Sequence, residues 1–244
     1  MLVRITFLRT ASIISINFCY NNVLNTFVKH LDEAMEVIDE VLDKYPLKNI
    51  AISFNGGKDC TILLHLLRVK IDERFGLDRK IQGVHIDCGD SFSEIKAFIN
   101  EACEKYRVDL YEYPGPLKEG LQKVKEERPE ISVIFMGSRS TDPHGIHMKS
   151  KKLWTDAGWP KFLRIFPILD WTYEDVWRAL RGLNVPYCSL YDEGYTSLGD
   201  RSTTSKNDAL KVVDSSGNIV GYRPAYELRS SGYERLGRKA RNDE

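Results

Sequence analysis

Short apolar runs alternate with stretches of helical periodicity through the first half of this chain of 244 residues. The apolar runs predict buried strands at residues 50–54, 81–86, 108–113 and 131–136. Apolar residues recur at helical spacing from Leu31 up to Pro46, and again over residues 59–71, 92–106 and 117–127. Strands that alternate with helices of this length form a parallel sheet with right-handed crossovers. The pattern therefore predicts an α/β fold.

The second half of the chain is less regular and is rich in Gly, Pro and Trp after Gly137. One further helix is predicted there, because Thr172 can cap it and Asp175 stands three residues later. No internal repeat or low-complexity linker divides the chain. We therefore expect one domain over residues 31–244 with a C-terminal elaboration. Trp171 and Trp177 are expected to fill its core.

Residues 1–30 are unusual, because no acidic residue precedes Asp32 whereas Arg4 and Arg9 are present. This composition is found in organellar transit peptides, and equally in extensions that the fold does not require. Residues 10–28 are uncharged, but they carry too many polar groups for a convincing membrane span. The expected location is the cytoplasm, with mitochondrial import as the alternative.

Charge and cysteine usage argue against several classes of protein. The 35 basic and 35 acidic residues leave no net charge. Proteins that bind nucleic acid by general electrostatic attraction usually have an excess of basic residues. The five cysteines include no Cys-x-x-Cys pair, so neither a zinc ribbon nor a disulfide framework is indicated. Reduced thiols in an intracellular compartment are expected. We predict no nucleic-acid partner and no membrane association.

Three loops follow the carboxyl ends of predicted strands and are rich in Gly, Ser, Asp and Arg. They comprise residues 55–58, 87–91 and 137–145. In an open parallel sheet, ligands bind beyond the carboxyl ends of the strands. The three loops are therefore expected to converge on one site.

The first of these loops has the features of an anion site. Gly56 and Gly57 allow a sharp turn and a close approach of the backbone to phosphate, and the helix that follows directs its N–H groups at the anion. Lys58 adds a cation, Asn55 can donate to a phosphoryl oxygen, and Asp59 can hold a Mg²⁺-bound water or orient a donor. The spacing differs from that of a Walker A motif. A Gly-Gly-Lys sequence after a strand is often only a turn. The loop alone is therefore compatible with a phosphate site and with an ordinary turn.

Residues 53–60, Ser-Phe-Asn-Gly-Gly-Lys-Asp-Cys, resemble the pyrophosphate-binding loop of the adenine nucleotide α-hydrolase-like superfamily. Enzymes of that superfamily break ATP between its α and β phosphates. Residues 85–92 are similar to the segment that lies beside the adenosine in sulfonucleotide reductases and FAD synthases. The resemblance implies a three-layer, Rossmann-like parallel sheet, and these two loops fix the superfamily rather than the reaction.

Motifs in the second half resemble those of eukaryotic FAD synthases, which are PAPS reductase-like nucleotidyltransferases. The motifs are Gly-Ser-Arg-Ser-Thr-Asp-Pro at 137–143, Gly-Trp-Pro at 158–160, residues 164–171, residues 191–199, Arg-Pro-Ala-Tyr at 223–226 and Glu-Arg-x-Gly-Arg at 234–238. The resemblance extends from Leu31 to Arg238. It implies FMN adenylyltransferase activity, in which Mg²⁺, ATP and FMN give FAD and pyrophosphate. It also implies, as partners, client flavoproteins that receive the FAD.

The resemblance assigns roles to individual residues. The implied catalytic residues are Asn55, Asp59, Asp142, Arg235 and Arg238, of which Asp59 and Asp142 would be the metal ligands. The implied ATP contacts are Ser53, Phe54, Asn55, Gly56, Gly57, Lys58, Ile86, Asp87, Gly137 and Arg139. The implied FMN contacts are Thr155, Asp156, Ala157, Gly158, Trp159 and Arg164. Without the resemblance, Asp142 could merely start a turn and the two C-terminal arginines could belong to a solvated basic tail.

Other reactions of the superfamily are less compatible with the sequence. Sulfonucleotide reduction normally uses a cysteine in a C-terminal Glu-Cys-Gly-type segment, and the last cysteine here is Cys188. Enzymes that modify tRNA usually carry Cys-x-x-Cys pairs or a basic surface. A non-catalytic nucleotide-binding module would not need so many acids and arginines at the loop ends. The length is that expected of the single-domain, fungal type of FAD synthase.

Overall fold

The computed structural model describes residues 18–143 and 145–239, with side chains from residue 24 onwards. A six-stranded sheet is its central layer. The strands are β1 (Ile50–Ser53), β2 (Ile81–Asp87), β3 (Val108–Pro114), β4 (Val133–Phe135), β5 (Lys152–Trp154) and β6 (Leu163–Ile165). The helices are α1 (Phe18–Lys44), α2 (Lys58–Phe75), α3 (Ser93–Tyr106), α4 (Leu117–Glu127) and α5 (Tyr173–Gly182).

The strand order is β3-β2-β1-β4-β6-β5, and all neighbours pair in parallel except β5, which runs antiparallel to β6. The predicted α/β class and parallel sheet are therefore confirmed. From β1 the chain moves outward to β2 and β3, and then returns to the other side of β1 to form β4. The order reverses at β1, and such a switch point opens a crevice beyond the carboxyl ends of the two strands.

Helix α1 extends further toward the N-terminus than the sequence pattern indicated. It was predicted to begin at Leu31, but it already includes Phe18. Phe27 is fully buried with its ring edge against Trp171, and the Trp171 indole N–H donates to the His30 carbonyl at 3.1 Å. The domain boundary predicted after residue 30 thus falls inside a core helix, because the buried face of α1 continues past it. Residues 1–17, which include most of the predicted transit segment, lie outside the described residues.

Helix α5 begins with the capping box that the sequence predicted. The Asp175 N–H donates to the Thr172 hydroxyl at 3.1 Å, and the Thr172 N–H donates to the Asp175 carboxylate at 3.0 Å. Trp177 projects from this helix into a cluster of tyrosine rings that includes Tyr191, whose centroid lies 5.4 Å away. Trp171 and Trp177 are both buried, as predicted. The cluster fixes Tyr191 beside the switch point.

After α5 the chain forms short turns of 3₁₀ helix and one exposed hairpin. The 3₁₀ turns that follow α5 are Ser189–Tyr191, Arg201–Thr203, Asp208–Leu210, Ala225–Glu227 and Ser231–Tyr233. The hairpin consists of β7 (Lys211–Val213) and β8 (Ile219–Tyr222). In the part of the chain that the structure describes, no helix combines the length and apolarity needed to cross a membrane.

Candidate active site

A cavity of about 220 Å³ lies beyond the carboxyl ends of β1 and β4. Its walls come from the β1–α2 turn, the loop after β4, the segment after Tyr191 and the C-terminal segment. The lining residues are Ser53, Asn55, Gly57, Lys58, Asp59, Cys60, Met136, Gly137, Ser138, Asp142, Tyr191, Ser197, Leu198, Glu234, Arg235 and Arg238. All five predicted catalytic residues are among them. The structure thus brings together groups that are far apart in the sequence.

The β1–α2 turn is held by its own side chains. The Asn55 carboxamide oxygen accepts the Gly57 N–H at 3.0 Å, and Gly56 has a φ of +73°, in the region that favours glycine. A Cβ on Gly56 would lie 3.0 Å from the Ile99 side chain, so the turn packs closely on α3. The Tyr191 hydroxyl accepts the Lys58 N–H at 2.9 Å. The N–H groups of Gly57 and Lys58, which were expected to bind an anion, therefore donate to protein acceptors. The Lys58 ammonium remains as the main positive charge of this turn.

The Lys58 side chain is only 2% exposed and lies between two carboxylates. Its Nζ is 2.9 Å from Asp59 Oδ2 and 2.5 Å from Glu234 Oε1. Burial lowers the pKa of Lys58, but the charges of Asp59 and Glu234 outweigh burial, so the net pKa is raised. Lys58 is therefore a permanent cation at neutral pH. Glu234 was not predicted as a site residue, although it is the first residue of the Glu-Arg-x-Gly-Arg motif at 234–238.

Arg139 is fully buried and contacts the same two carboxylates. Its Nη2 lies 2.6 and 2.8 Å from the Glu234 oxygens, and its Nε lies 2.8 Å from Asp59 Oδ1. The sequence predicted that Arg139 faces phosphate, but in the structure its guanidinium lies behind the described cavity wall. The physical reason is that a buried guanidinium requires counter-charges in contact. Asp59 and Glu234 supply them.

The two predicted metal ligands lie in different electrostatic surroundings. Partial burial raises the pKa of Asp59, but the charges of Lys58 and Arg139 lower it by more, so the net pKa lies below the usual range. Asp142 accepts the Arg139 backbone N–H at 2.8 Å. Burial and the nearby charge of Asp59 raise its pKa. Asp59 is therefore committed to two cations at 2.8–2.9 Å, whereas the nearest guanidinium nitrogen to Asp142, on Arg139, lies 3.9 Å away.

The described residues do not contain a ready-made cluster of three or more acidic, His or Cys ligands for a metal. Mg²⁺ is often bound by only one or two carboxylates together with substrate phosphates. Asp142 lines the cavity, and its raised pKa reflects an incompletely compensated buried charge. The donor set therefore fits a Mg²⁺ ion that arrives with a polyphosphate. His144, which the sequence left unassigned, lies outside the described residues.

The C-terminal segment places both predicted arginines on the cavity wall. Arg238 Nη1 donates to the Leu198 carbonyl at 2.8 Å, and Arg238 pairs with Thr204 in an isolated β-bridge. A Cβ on Gly199 would lie 2.2 Å from the Arg238 guanidinium, so a side chain at this position would displace the guanidinium from its place. The Arg238 N–H donates to the Arg235 carbonyl at 2.9 Å, which makes the pair part of a tight turn. This turn places both arginines on the cavity wall.

The predicted FMN contacts lie elsewhere, in and beside the hairpin that joins β5 to β6. Gly158 has a φ of +82°, and the Trp159 N–H donates to the Asp156 carbonyl at 3.1 Å. Trp159 is 38% exposed, and Lys118 of α4 lies 5.9 Å from its ring centroid. Arg164 donates to the Trp154 carbonyl at 2.8 Å. The described lining of the cavity contains none of the six predicted FMN residues.

The remaining predicted ATP contacts are divided between the core and a second cavity. Phe54 is fully buried in the core, and Ile86 packs against Gly120 of α4. Asp87 lines a neighbouring cavity of about 250 Å³ together with His85 and Lys96. Asp87 accepts the Gly89 N–H at 2.8 Å, which together with Lys96 holds the pKa of Asp87 below its usual range.

The comparison with protein families identifies a known domain. Residues 49–206 match the phosphoadenosine phosphosulfate reductase domain, which includes every strand of the central sheet. A probable FAD synthase of Schizosaccharomyces pombe is 41% identical over 213 residues, which cover 85% of this chain and 78% of that protein. A probable FAD synthase of Caenorhabditis briggsae is 53% identical over 212 residues, or 87% of this chain. The chain spans about 40% of the length of this Caenorhabditis relative.

Among solved structures, the Candida glabrata FMN adenylyltransferase in complex with FMN and the ATP analogue AMPCPP superimposes with a TM-score of 0.84. The sequence identity is 26%, and the match covers 98% of this chain and 96% of that one. The likeness therefore includes the C-terminal segment that closes the cavity as well as the sheet. The chain belongs to the phosphoadenosine phosphosulfate reductase domain family and, within it, to the FAD synthases.

Proposed function

We propose that this chain transfers the AMP group of ATP to FMN and releases FAD and pyrophosphate. The observation that carries the proposal is the meeting of three segments at one cavity, with Lys58 from the β1–α2 turn, Asp142 from the loop after β4, and Arg235 and Arg238 from the C-terminal segment. Joining two polyanions requires cations on several sides of the reacting phosphorus. The FAD synthase relatives and the Candida glabrata complex with FMN and AMPCPP support this choice of substrates.

The reaction needs no nucleophilic side chain from the protein. An oxygen of the FMN phosphate attacks the α phosphorus of ATP, and the bond from this phosphorus to the bridging β oxygen breaks. Pyrophosphate leaves with the bonding electrons. Cys60, the cysteine in the cavity wall, does not serve as a nucleophile, because burial raises the pKa of its thiol to about 12. Positioning and charge stabilisation are therefore what the protein supplies.

The cations divide between the departing and the attacking groups. Lys58 lies at the turn after β1, where the pyrophosphate would rest, and it can neutralise the charge that develops there. Arg235 and Arg238 enter from the opposite wall, and they can reduce the repulsion between the FMN phosphate and ATP. The cavity is smaller than the 300–1,000 Å³ range typical of ligand pockets. It therefore corresponds to the phosphate part of the site, with both substrates extending beyond it.

Mg²⁺ would be held by Asp142 together with phosphate oxygens of ATP, and it would supply positive charge at the reacting phosphates. Asp59 acts mainly through Lys58 and Arg139, because both of its oxygens contact these cations. Asn55 shapes the turn through its carboxamide oxygen and can present its amide group to a phosphoryl oxygen.

The flavin would bind against Asp156, Gly158 and Trp159. The exposed ring of Trp159 is available there for contact with the isoalloxazine.

The test is to incubate the purified chain with Mg-ATP and FMN and to separate the flavins by chromatography. We expect FAD to form together with pyrophosphate, and we expect chelation of the metal with EDTA to stop the reaction until Mg²⁺ is restored in excess. If no FAD forms while adenylyl sulfate is reduced in the presence of a thiol donor, the chain is a sulfonucleotide reductase and the proposal fails.

A further inference from the structure

The carboxylate of Glu234 is the contact through which the C-terminal segment reaches the β1–α2 turn. Glu234 is 8% exposed, and its Oε1 lies 2.5 Å from Lys58 Nζ and 2.6 Å from Arg139 Nη2. One side chain thus touches both buried cations of the site. The residue that follows it, Arg235, lies on the cavity wall.

The backbone around Glu234 is anchored separately from its carboxylate. The Thr196 hydroxyl donates to the Glu234 carbonyl at 2.6 Å, and Asn207 Nδ2 donates to the Tyr233 carbonyl at 2.7 Å. Thr196 and Asn207 are buried and bonded to each other at 2.8 Å. Because these bonds already hold the segment in place, the carboxylate is not needed as a clamp for the backbone alone.

The charges at this point balance in pairs. Lys58 and Arg139 are cations, and Asp59 and Glu234 are the anions in contact with them. Arg139 also lies 3.9 Å from Asp142. Neutralising Glu234 would make the net charge beside the cavity more positive by one unit. A buried cation with one fewer partner also has more freedom to change its position.

We propose that Glu234 is a positioning residue for adenylyl transfer, which holds Lys58 in line with the leaving pyrophosphate and offsets part of its charge so that pyrophosphate can depart. This inference rests on the proposed function of the site. Both carboxylate oxygens of Glu234 are engaged by Lys58 and Arg139, so it acts through these cations and not directly on the substrate. It also ties the position of Lys58 to the segment that carries Arg235.

The variant that tests the inference is Glu234→Gln, which keeps the shape of the side chain and removes its charge. We expect kcat to fall roughly tenfold or more, because displacement of a substrate-positioning group by about an ångström has effects of this size. We expect Mg-pyrophosphate, measured by titration calorimetry, to bind roughly fivefold more tightly, because an anion beside it has been neutralised. A rise in affinity together with a fall in kcat is not the result of simple loosening.

Two controls separate this role from a structural one. Thr196→Val removes the backbone anchor and keeps the carboxylate, so it should not tighten pyrophosphate binding. Glu227→Gln removes an exposed carboxylate from the same part of the chain and should change neither kcat nor the affinity for Mg-pyrophosphate. If Glu234→Gln weakens pyrophosphate binding and lowers kcat in the same manner as Thr196→Val, or leaves kcat unchanged, Glu234 is not a positioning residue.

A second variant, Glu234→Asp, covers the case in which the glutamine variant does not fold. It keeps the charge but is shorter by one methylene, so kcat should fall roughly tenfold while pyrophosphate affinity stays within about twofold of the wild type. An unchanged kcat would overturn the inference. Pyrophosphate binding requires no turnover. A wild-type chain that forms no FAD therefore refutes the proposed function alone, whereas unchanged or weaker pyrophosphate binding by Glu234→Gln refutes the role of Glu234.

Discussion

The cavity at the switch point and the hairpin between β5 and β6 are both predicted substrate sites, but they are built in opposite ways. The cavity is built on charged side chains that bind one another, with Lys58 in its wall and Arg139 behind it, both almost fully inaccessible. The hairpin is an edge of the sheet, where Trp159 is 38% exposed and the Asp156 side chain is 79% exposed. In the cavity, function and stability depend on the same contacts. In the hairpin they can be changed separately.

The largest effect is expected for Arg139→Met. This change leaves the buried Glu234 and the partly buried Asp59 without one of their shared cations, and loss of one partner from a buried pair typically costs about 3–5 kcal/mol. The free energy of unfolding should fall by that amount in urea denaturation. The matched change in the hairpin, Arg164→Met, removes a partly exposed guanidinium that donates to one carbonyl and should cost about 1 kcal/mol. If the free energy of unfolding fell equally in both variants, the charged contacts of the cavity would not matter more for stability than those of the hairpin.

Asp142→Ala should abolish most FAD synthesis while leaving the fold intact. Asp142 is the cavity carboxylate with the raised pKa, so its removal takes away the group best placed to hold Mg²⁺. We expect kcat to fall on the order of a hundredfold or more, with an unchanged circular dichroism spectrum. Asp170→Ala removes an exposed aspartate that pairs with Lys151 and should retain full activity. Retained turnover in Asp142→Ala would reject its role.

Trp159→Ala tests the hairpin as the flavin site. The exposed ring offers an apolar face to the isoalloxazine, and the loss of an aromatic contact of this kind is worth about 1 kcal/mol or slightly more. The KM for FMN should rise roughly tenfold, while the KM for ATP and the melting temperature stay near their wild-type values. Trp154→Ala removes a second exposed ring that lies outside the predicted turn. A change in the KM for ATP, or the same effect for both tryptophans, would place the flavin elsewhere.

The smallest effect is expected for Gly158→Ala. Gly158 has a φ of +82° with open space where a Cβ would stand, so alanine should cost only the conformational strain of about 1 kcal/mol. Gly217 in the β7–β8 hairpin has a φ of +85° and the same open surroundings. Both variants should lose equal stability, but only Gly158→Ala should raise the KM for FMN severalfold. Identical kinetics for the two variants would show that the shape of the flavin turn is unimportant.

The fold was largely readable from the sequence, because short strands rich in apolar residues alternate regularly with stretches of helical periodicity. Predicted and observed strands agree at β1, β2 and β3 to within one residue at either end. The N-terminal part of α1 was missed, because the polar residues of the first thirty positions suggested an extension. Tertiary contacts, above all the packing of Phe27 against Trp171, show that this part belongs to the core.

Site residues could be predicted where they stand in a loop that directly follows a strand. They were harder to predict where tertiary contacts determine which groups a side chain binds. Asn55, Asp59 and Asp142 stand in loops whose position follows from the sheet topology. The partners of Lys58 are not deducible in this way, because Glu234 and Tyr191 come from irregular segments whose paths no periodicity reveals. For the same reason, sequence patterns did not show that Arg139 would contact carboxylates behind the cavity.

The contact between Lys58 and Glu234 joins positions 176 residues apart. During synthesis the N-terminal part of a chain leaves the ribosome first, so the sheet and the Gly-Gly turn are available well before this glutamate is made. Of the carboxylates that pair with these two cations, Asp59 and Asp142 are made before Glu234. The proposed site is therefore the last part of the fold to be completed, because Glu234, Arg235 and Arg238 belong to the C-terminal segment.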